Sequence, residues 1–428
     1  MEINIENIGM IKKADINING LTVICGENDT GKSTIGKSLF ALVKGIVGFD
    51  EEFQEDFSYE LFNNFRQIQR LMSRMIDINT LNNDLEKNNI LLELLEYYTP
   101  RNIRYIKNAR DGDYFKDLKN VINSLYTSKK LDDITYNEFI FYFQQHEEII
   151  KQNSDIKTKQ KRALEKAFLS EFQSFITEES IVNLKNLDDN LTIQFDKKCK
   201  IKNDIKNFEF CTFRDITYIE TPAIIQFFRL ILSARVNFSE SRRVQETVPL
   251  HTKDLTRKLF NSDPFKIPEE FESINKMIGE AISGQFYYSK DQKDFILERD
   301  KKSIPSMDVA SGIKSLGIID ILIRNNILNI GDIIIIDEPE INLHPEWQNL
   351  YAEIICQLVN YGITAVVVTH SPYMVSALYV HSDRILKKKS SFYLSEKKED
   401  GVYFSDESNN VMGGIVKKFA LALEGLYL

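Results

Sequence analysis

The chain has 428 residues, 43% of them hydrophobic, with 54 basic against 63 acidic side chains and a formal net charge of -9. That length allows two or three domains with sizeable cores, and the acidic total excludes a protein that coats nucleic acid with its whole surface, though not a local basic groove. No apolar run approaches the ~20 residues of a membrane span, so the expectation is a cytoplasmic chain with no membrane partner.

The opening, MEINIENIGMIKKADINING, alternates apolar and polar residues and carries acids, which predicts two short strands rather than a secretory leader. LTVIC (Leu21–Cys25) is an apolar, β-like run. Cys25 within it reads as a reduced, buried thiol, and the four cysteines (Cys25, Cys199, Cys211, Cys356) form no C-x-x-C or zinc spacing.

GENDTGKSTIGKS, Gly26 to Ser38, fits the phosphate-loop pattern G-x-x-x-x-G-K-[S/T] twice. Such a loop follows a strand, turns on glycines, points its N–H groups inward and aims the next helix at the phosphates. Ile35, Leu39, Leu42, Val43 and Ile46 fall at helical spacing, so the helix begins before Ile35. The first fit is therefore the loop. Lys32 is the phosphate lysine and Ser33 the Mg²⁺ ligand. Gly26, Asn28, Asp29, Thr30, Gly31 and Thr34 complete the nucleotide-binding segment, and Lys37 and Ser38 are plain helix residues.

Residues 49–180 are charged, rich in Leu, Ile and Phe, and nearly free of Gly and Pro, which predicts a compact helical insert. LLELLEYY and NEFIFYFQQHEEII read as amphipathic helices, and no heptad persists. Phe139, Tyr142 and Phe143 share a helix face and read as core, not as a base-stacking platform. The basic runs KTKQKR (Lys157 to Arg162) and KKKS (Lys387 to Ser390) read as solvated faces, with a nucleic-acid groove as the alternative. Strand-like LTIQF and ITYIET return residues 181–225 to the sheet, residues 226–283 form a second helical segment, and GQFYYSKDQKDFILER predicts a hairpin.

Residues 284–428 hold the remaining motifs. In DVASGIKSLGIIDILI, Ser311 is expected to cap the following helix and Gly312 to let backbone approach closely. In GDIIIIDEPEINLHPEWQ, Ile333 to Ile336 predict a strand buried on both faces, with Asp337 and Glu338 at its carboxyl end, where open α/β sheets place ligands. Asp337 would hold Mg²⁺ through water and Glu338 would polarise the attacking water. ITAVVVTHSP predicts a second such strand, ending at His370, a candidate γ-phosphate contact. A helix (SPYMVSALYV), a hairpin (SFYLSEKKEDGVYFSD) and a last helix (GGIVKKFALALEGL) follow.

Together these motifs resemble the ABC-type ATPases, in the branch holding RecF, the SMC heads and the OLD (overcoming lysogenization defect) proteins. GENDTGKST is similar to their Walker A, IIIIDEPE to Walker B, VVVTHSP to the switch histidine, ASGIKSL to the signature, and EINLHPEWQ to a stretch of the OLD-like members. Ile313 and Lys314 stand where transporter ATPases carry glycine and glutamine. Lys314 could add positive charge at the phosphates or face solvent. Gln226 is the candidate for the glutamine that links nucleotide to the helical lobe.

The resemblance implies an α/β P-loop NTPase fold: an ABC-type head with a mixed sheet, flanking helices and helical insertions, its N-terminal part being residues 1–48. It implies ATP and Mg²⁺ as cofactors, with Glu338, His370 and Lys32 catalytic. It further implies a homodimer or higher oligomer whose composite sites take Ser311 and Gly312 from the other copy. The part after His370 is expected to be too short for the TOPRIM nuclease of OLD proteins. That likens the chain to the ATPase subunits of anti-phage systems of the Septu and PARIS kind, acting with a separate effector such as a nuclease. The alternatives are a RecF-like ATPase gripping DNA, a transporter's nucleotide-binding subunit, and a non-hydrolysing scaffold, the last opposed by Glu338.

Overall fold

The computed structural model describes residues 1–47, 60–72 apart from 62, 65 and 69, 111–128, 131–151, 156–172, 175–186, 189–205, 213–236, 247–260, 267, 269–387 and 389–419. One compact unit comprises residues 1–48 and 163–428, the other residues 49–162.

Alternation and continuous apolar runs give two kinds of strand. β1 (Glu2–Ile8) buries Ile3, Ile5 and Ile8 and pairs antiparallel with β2 (Ile11–Asn17). β3 (Leu21–Cys25) is buried at every position and leads through the glycine loop into helix α1 (Lys32–Val47). The smaller unit includes α2 (Asp111–Thr127) and α3 (Asp133–Lys151). Leu118, Ile122, Leu125, Phe139 and Phe143 form its core there, with Tyr142 packed against them. These aromatics are core, as their spacing predicts. LLELLEYY lies outside the described residues.

Helix α4 (Ile156–Phe172) carries the KTKQKR run. Lys157 is exposed, but Arg162 is buried and paired with Glu60, so that end of the run is not a solvated face. The chain then enters β4 (Ile176–Asn186), an 11-residue strand whose first five residues fall within the stretch 49–180 that reads as helical. Its early acids, Glu178 and Glu179, are exposed and mask the alternation that buries Ser180, Val182 and Leu184. β4 pairs with β1 on one side and with β5 (Asp189–Gln194) on the other.

β6 (Ile216–Ile219) follows, then α5 (Ile224–Ser233), two-residue strands β7 (Arg235–Val236) and β8 (Thr247–Val248), α6 (Leu250–Phe260) and α7 (Glu272–Ile282). β9 (Gln285–Ser289), β10 (Asp294–Arg299) and β11 (Lys302–Pro305) form a small antiparallel sheet, the first two being the expected hairpin. α8 (Ser311–Arg324), β12 (Ile333–Asp337), α9 (Pro345–Asn360), β13 (Thr364–Thr369), α10 (Pro372–Leu386), β14 (Ser390–Lys398) and β15 (Gly401–Asp406) complete the order. The last helix opens as a π-helical turn, Val411–Val416, and beyond residue 419 it lies outside the described residues.

The main sheet runs β5-β4-β1-β2-β15-β14-β3-β13-β12-β6. The block β14-β3-β13-β12-β6 is parallel throughout, while β5, β4, β1 and β2 are antiparallel. Ile318 and Leu322 of α8, Ile355 of α9 and Met374 of α10 share one core with Val23, Ile336 and Val367 on one sheet face. α1 packs on the other face, where a Cβ at Gly36 would lie 3.1 Å from both Ile335 and Tyr218. The fold is therefore a mixed α/β architecture, a large sheet with a parallel block and helices on both faces.

Candidate functional site

Register brings the motifs together. Asp337 lies opposite Val368 of β13, and Thr369 opposite Cys25 of β3. Three adjacent parallel strands thus end level. Gly26 follows the first, Glu338 the second and His370 the third, at the carboxyl edge where such sheets bind ligands. β6 ends beside them, Ile336 pairing with Ile219, so Glu220 joins the same edge.

The phosphate loop turns on backbone that side chains resist. Gly26 has φ 149°, and a Cβ there would sit 1.8 Å from Oγ of Ser395; Gly31 has φ 70°. The Thr30 hydroxyl is buried and bonds the Glu27 carbonyl and Ser395 Oγ, each at 2.7 Å. Asn28 and Asp29 are exposed on the loop, and the Thr34 N–H donates to the Gly31 carbonyl at 3.1 Å.

α1 begins at Lys32, so Ser33, Thr34 and Ile35 are helical and cannot form the loop of the second pattern match. The Lys32 ammonium folds back over the loop onto the Glu27 carbonyl at 2.6 Å. Burial pushes its pKa down, and the carboxylates of Glu338 and Asp337 work against that. Lys37 instead pairs with Glu220 at 2.9 Å.

Asp337 is buried. Burial raises its carboxyl above the usual range, while the hydroxyls of Tyr218 and Ser33 stabilise the anion. Tyr218 donates to Oδ2 at 2.6 Å, whereas Oδ1 is buried without a hydrogen-bond partner. An unpartnered carboxylate oxygen beside a serine hydroxyl is a hard oxygen set that fits Mg²⁺. Glu338 holds a left-handed backbone, φ 50°, a conformation that costs of order 1–3 kcal/mol and clusters at active sites. Its Oε1 lies 3.4 Å from Nδ1 of His370. Glu220, Thr221, Ser315, Asp337, Glu338 and Tyr351 line a cleft at this edge.

Behind the cleft stands a network that sequence reasoning missed. His251 is buried between Glu171 (Nδ1 to Oε2, 2.6 Å) and Glu220 (Nε2 to Oε2, 3.1 Å). Burial alone would lower its pKa, but the two carboxylates outweigh it and raise the value to about 9. Hydrogen bonding from His251, opposed by burial and aided by Lys37, holds Glu220 down at about 2. Tyr218, Ser395 and Glu340 were missed as well. A tyrosine inside the short strand-like run ITYI was the one visible signal for Tyr218.

The signature residues lie apart. Ala310, not Ser311, occupies the N-cap of α8, with no side-chain cap bond; Ser311 is already in the helix, and its carbonyl accepts from Ser315 Oγ. The expectation that Ser311 caps the helix is therefore corrected: the extended residue at the boundary is Ala310, φ -61° and ψ 146°. A Cβ at Gly312 would meet the Leu343 side chain at 3.0 Å and the Trp347 ring at 3.5 Å, so the glycine lies against its own chain's packing. Among the described residues no hydrogen bond links Ser311 or Gly312 to the phosphate loop. Lys314 is buried near Asp294 and Asp308 rather than facing solvent, and Gln226 is exposed. No described helix is long and apolar enough to cross a membrane.

No curated protein sequence matches the chain. Solved structures similar to it include an SMC head bound to the C-winged helix domain of ScpA, 10% identical over 95% of this chain and 96% of that one, with TM-score 0.43. Another is the SMC head domain from Thermotoga maritima, 8% identical over 95% and 97%, with TM-score 0.38. A third is an ATP-binding cassette of an ABC transporter in its ADP conformation, 11% identical over 98% and 99%, with TM-score 0.33. Residues 21–376 match the family model described as "AAA domain, putative AbiEii toxin, Type IV TA system", and the chain belongs to that family of P-loop ATPases.

Proposed function

We propose that the chain binds and hydrolyses ATP at this sheet edge and uses the γ-phosphate to drive association of two copies. The observation that carries the reading is the convergence of Lys32 and Ser33, Asp337 and Glu338, and His370 on the level ends of three neighbouring parallel strands. The loop N–H groups and the α1 N-terminus favour phosphate, and Lys32 neutralises it. Ser33 and Asp337 would hold Mg²⁺, which supplies charge neutralisation of the β- and γ-phosphates when bound. Glu338 orients and deprotonates the attacking water, and His370 contacts the γ-phosphate.

Among the described residues Ser311 and Gly312 make no hydrogen bond to their own chain's loop, and in this reading they serve the nucleotide of a second copy. The α8 N-terminus would favour an anion there. Closing on ATP and opening after hydrolysis is then a switch set by one phosphate. The family description names a toxin of a toxin–antitoxin system. That wording supports a chain working with a second protein, and we read the chain as the ATPase component of an anti-phage defence pair whose effector is separate. Light scattering tests the switch: Glu338→Gln with Mg-ATP should run at twice the mass of the nucleotide-free chain. An unchanged mass at saturating ATP contradicts it.

A further inference from the structure

Glu340 stands two residues beyond Glu338, and it is 7% exposed. Its Oε1 accepts from three donors of one short loop: the Thr369 hydroxyl at 2.7 Å, the His370 backbone N–H at 2.9 Å and the Ser371 N–H at 3.1 Å. The same oxygen lies 3.2 Å from His370 Nδ1. Its other oxygen, Oε2, is buried without a partner. A buried carboxylate is costly unless donors surround it, and here they come from the loop that carries His370. Ser371 ties the loop from its other side, its hydroxyl donating to Gln348 Oε1 at 2.9 Å and accepting from the Met374 N–H at 3.2 Å.

Held through its loop, His370 Nδ1 makes no hydrogen bond but lies near two carboxylates, Glu340 at 3.2 Å and Glu338 at 3.4 Å. One of these is the residue assigned to activate water.

We propose that Glu340 is the positioning residue of His370: its three hydrogen bonds fix loop 369–371 and thereby the place and orientation of the imidazole beside Glu338. The proposal rests on the ATPase reading above. Partners of this kind, one step behind the reacting groups, typically change activity by about 10- to 100-fold when removed.

The test compares Glu340→Ala and Glu340→Gln, each alone and combined with His370→Ala, in the full chain. Four quantities are read: Tm, ATP affinity, kcat, and the ring-nitrogen NMR resonances of His370, assigned by their loss in His370→Ala. In Glu340→Ala, kcat should fall about 10- to 100-fold while ATP affinity stays within about 2-fold. The His370 Nδ1 resonance should shift. Glu340→Gln, whose amide oxygen can accept the same three donors, should recover most of the loss. Added to His370→Ala, Glu340→Ala should lower kcat no further, because it acts through that ring. Additive losses, or affinity falling in step with kcat, would overturn the proposal. So would an unmoved His370 resonance in a folded Glu340→Ala chain. If the wild-type chain releases no phosphate, the ATPase reading fails, and the resonance shift alone then decides Glu340.

Discussion

The Tyr218 hydroxyl donates to Oδ2 of Asp337 at 2.6 Å, leaving Oδ1 as the free oxygen of a buried carboxylate. The tyrosine is fully buried, and burial followed by the Asp337 charge keeps its hydroxyl protonated, so its proton stays available to Asp337. Tyr218→Phe removes that donor and strands the carboxylate. The folded chain should lose about 1–3 kcal/mol, read by urea unfolding without nucleotide. A loss below the error of the melts would mean that the bond does not hold Asp337.

Two lysines distinguish the two pattern matches. Lys32→Ala should abolish ATP binding in calorimetry, because the ammonium over the loop is gone. Lys37→Ala should keep ATP affinity within about tenfold, since its partner is Glu220 and not the loop, and should lower Tm through the lost pair. The reverse ranking would assign the site to the second match.

Gly26 tests the loop's backbone. At φ 149°, with Ser395 Oγ 1.8 Å from the Cβ position, Gly26→Ala must displace β14 or the loop. ATP affinity should fall by at least tenfold, together with a lower Tm. Adding Ser395→Gly should recover part of the Tm, because it removes the clash but not the backbone strain.

His251 gives a pH dependence with a definite sign. Its folded pKa is about 9 against an ordinary 6.5, so the stability it contributes is fully present below pH 6.5 and lost as pH rises through 9. The change should be on the order of 3 kcal/mol in denaturant unfolding between those limits. His251→Gln should flatten that slope. A wild-type stability that does not fall across that interval would contradict the buried, charged imidazole.

Much of this was legible in the sequence because three strands of the parallel block are apolar runs, Leu21–Cys25 (broken only by Thr22), Ile333–Ile336 and Ala365–Val368, each ending on polar chemistry. The helix register of Ile35 and Leu39 fixed the start of α1 for the same reason. β4 was hidden by Glu178 and Glu179, whose exposure breaks the alternation at its start. Glu340, His251 and Glu220 were invisible as a group because their partners lie far along the chain: Glu340 contacts Thr369, and His251 contacts Glu171. Spacing along a sequence carries no trace of pairings that only the sheet and its flanking helices create.

Phosphate release by the purified chain, wild type against Glu338→Gln, under saturating Mg-ATP, is the most direct measurement. If Glu338 activates water at this edge, wild type turns over while the variant binds ATP with similar affinity and hydrolyses it about 10²- to 10⁴-fold more slowly. Equal rates in the two proteins, or ATP binding by neither, would contradict an ATPase site built from Lys32, Asp337 and Glu338.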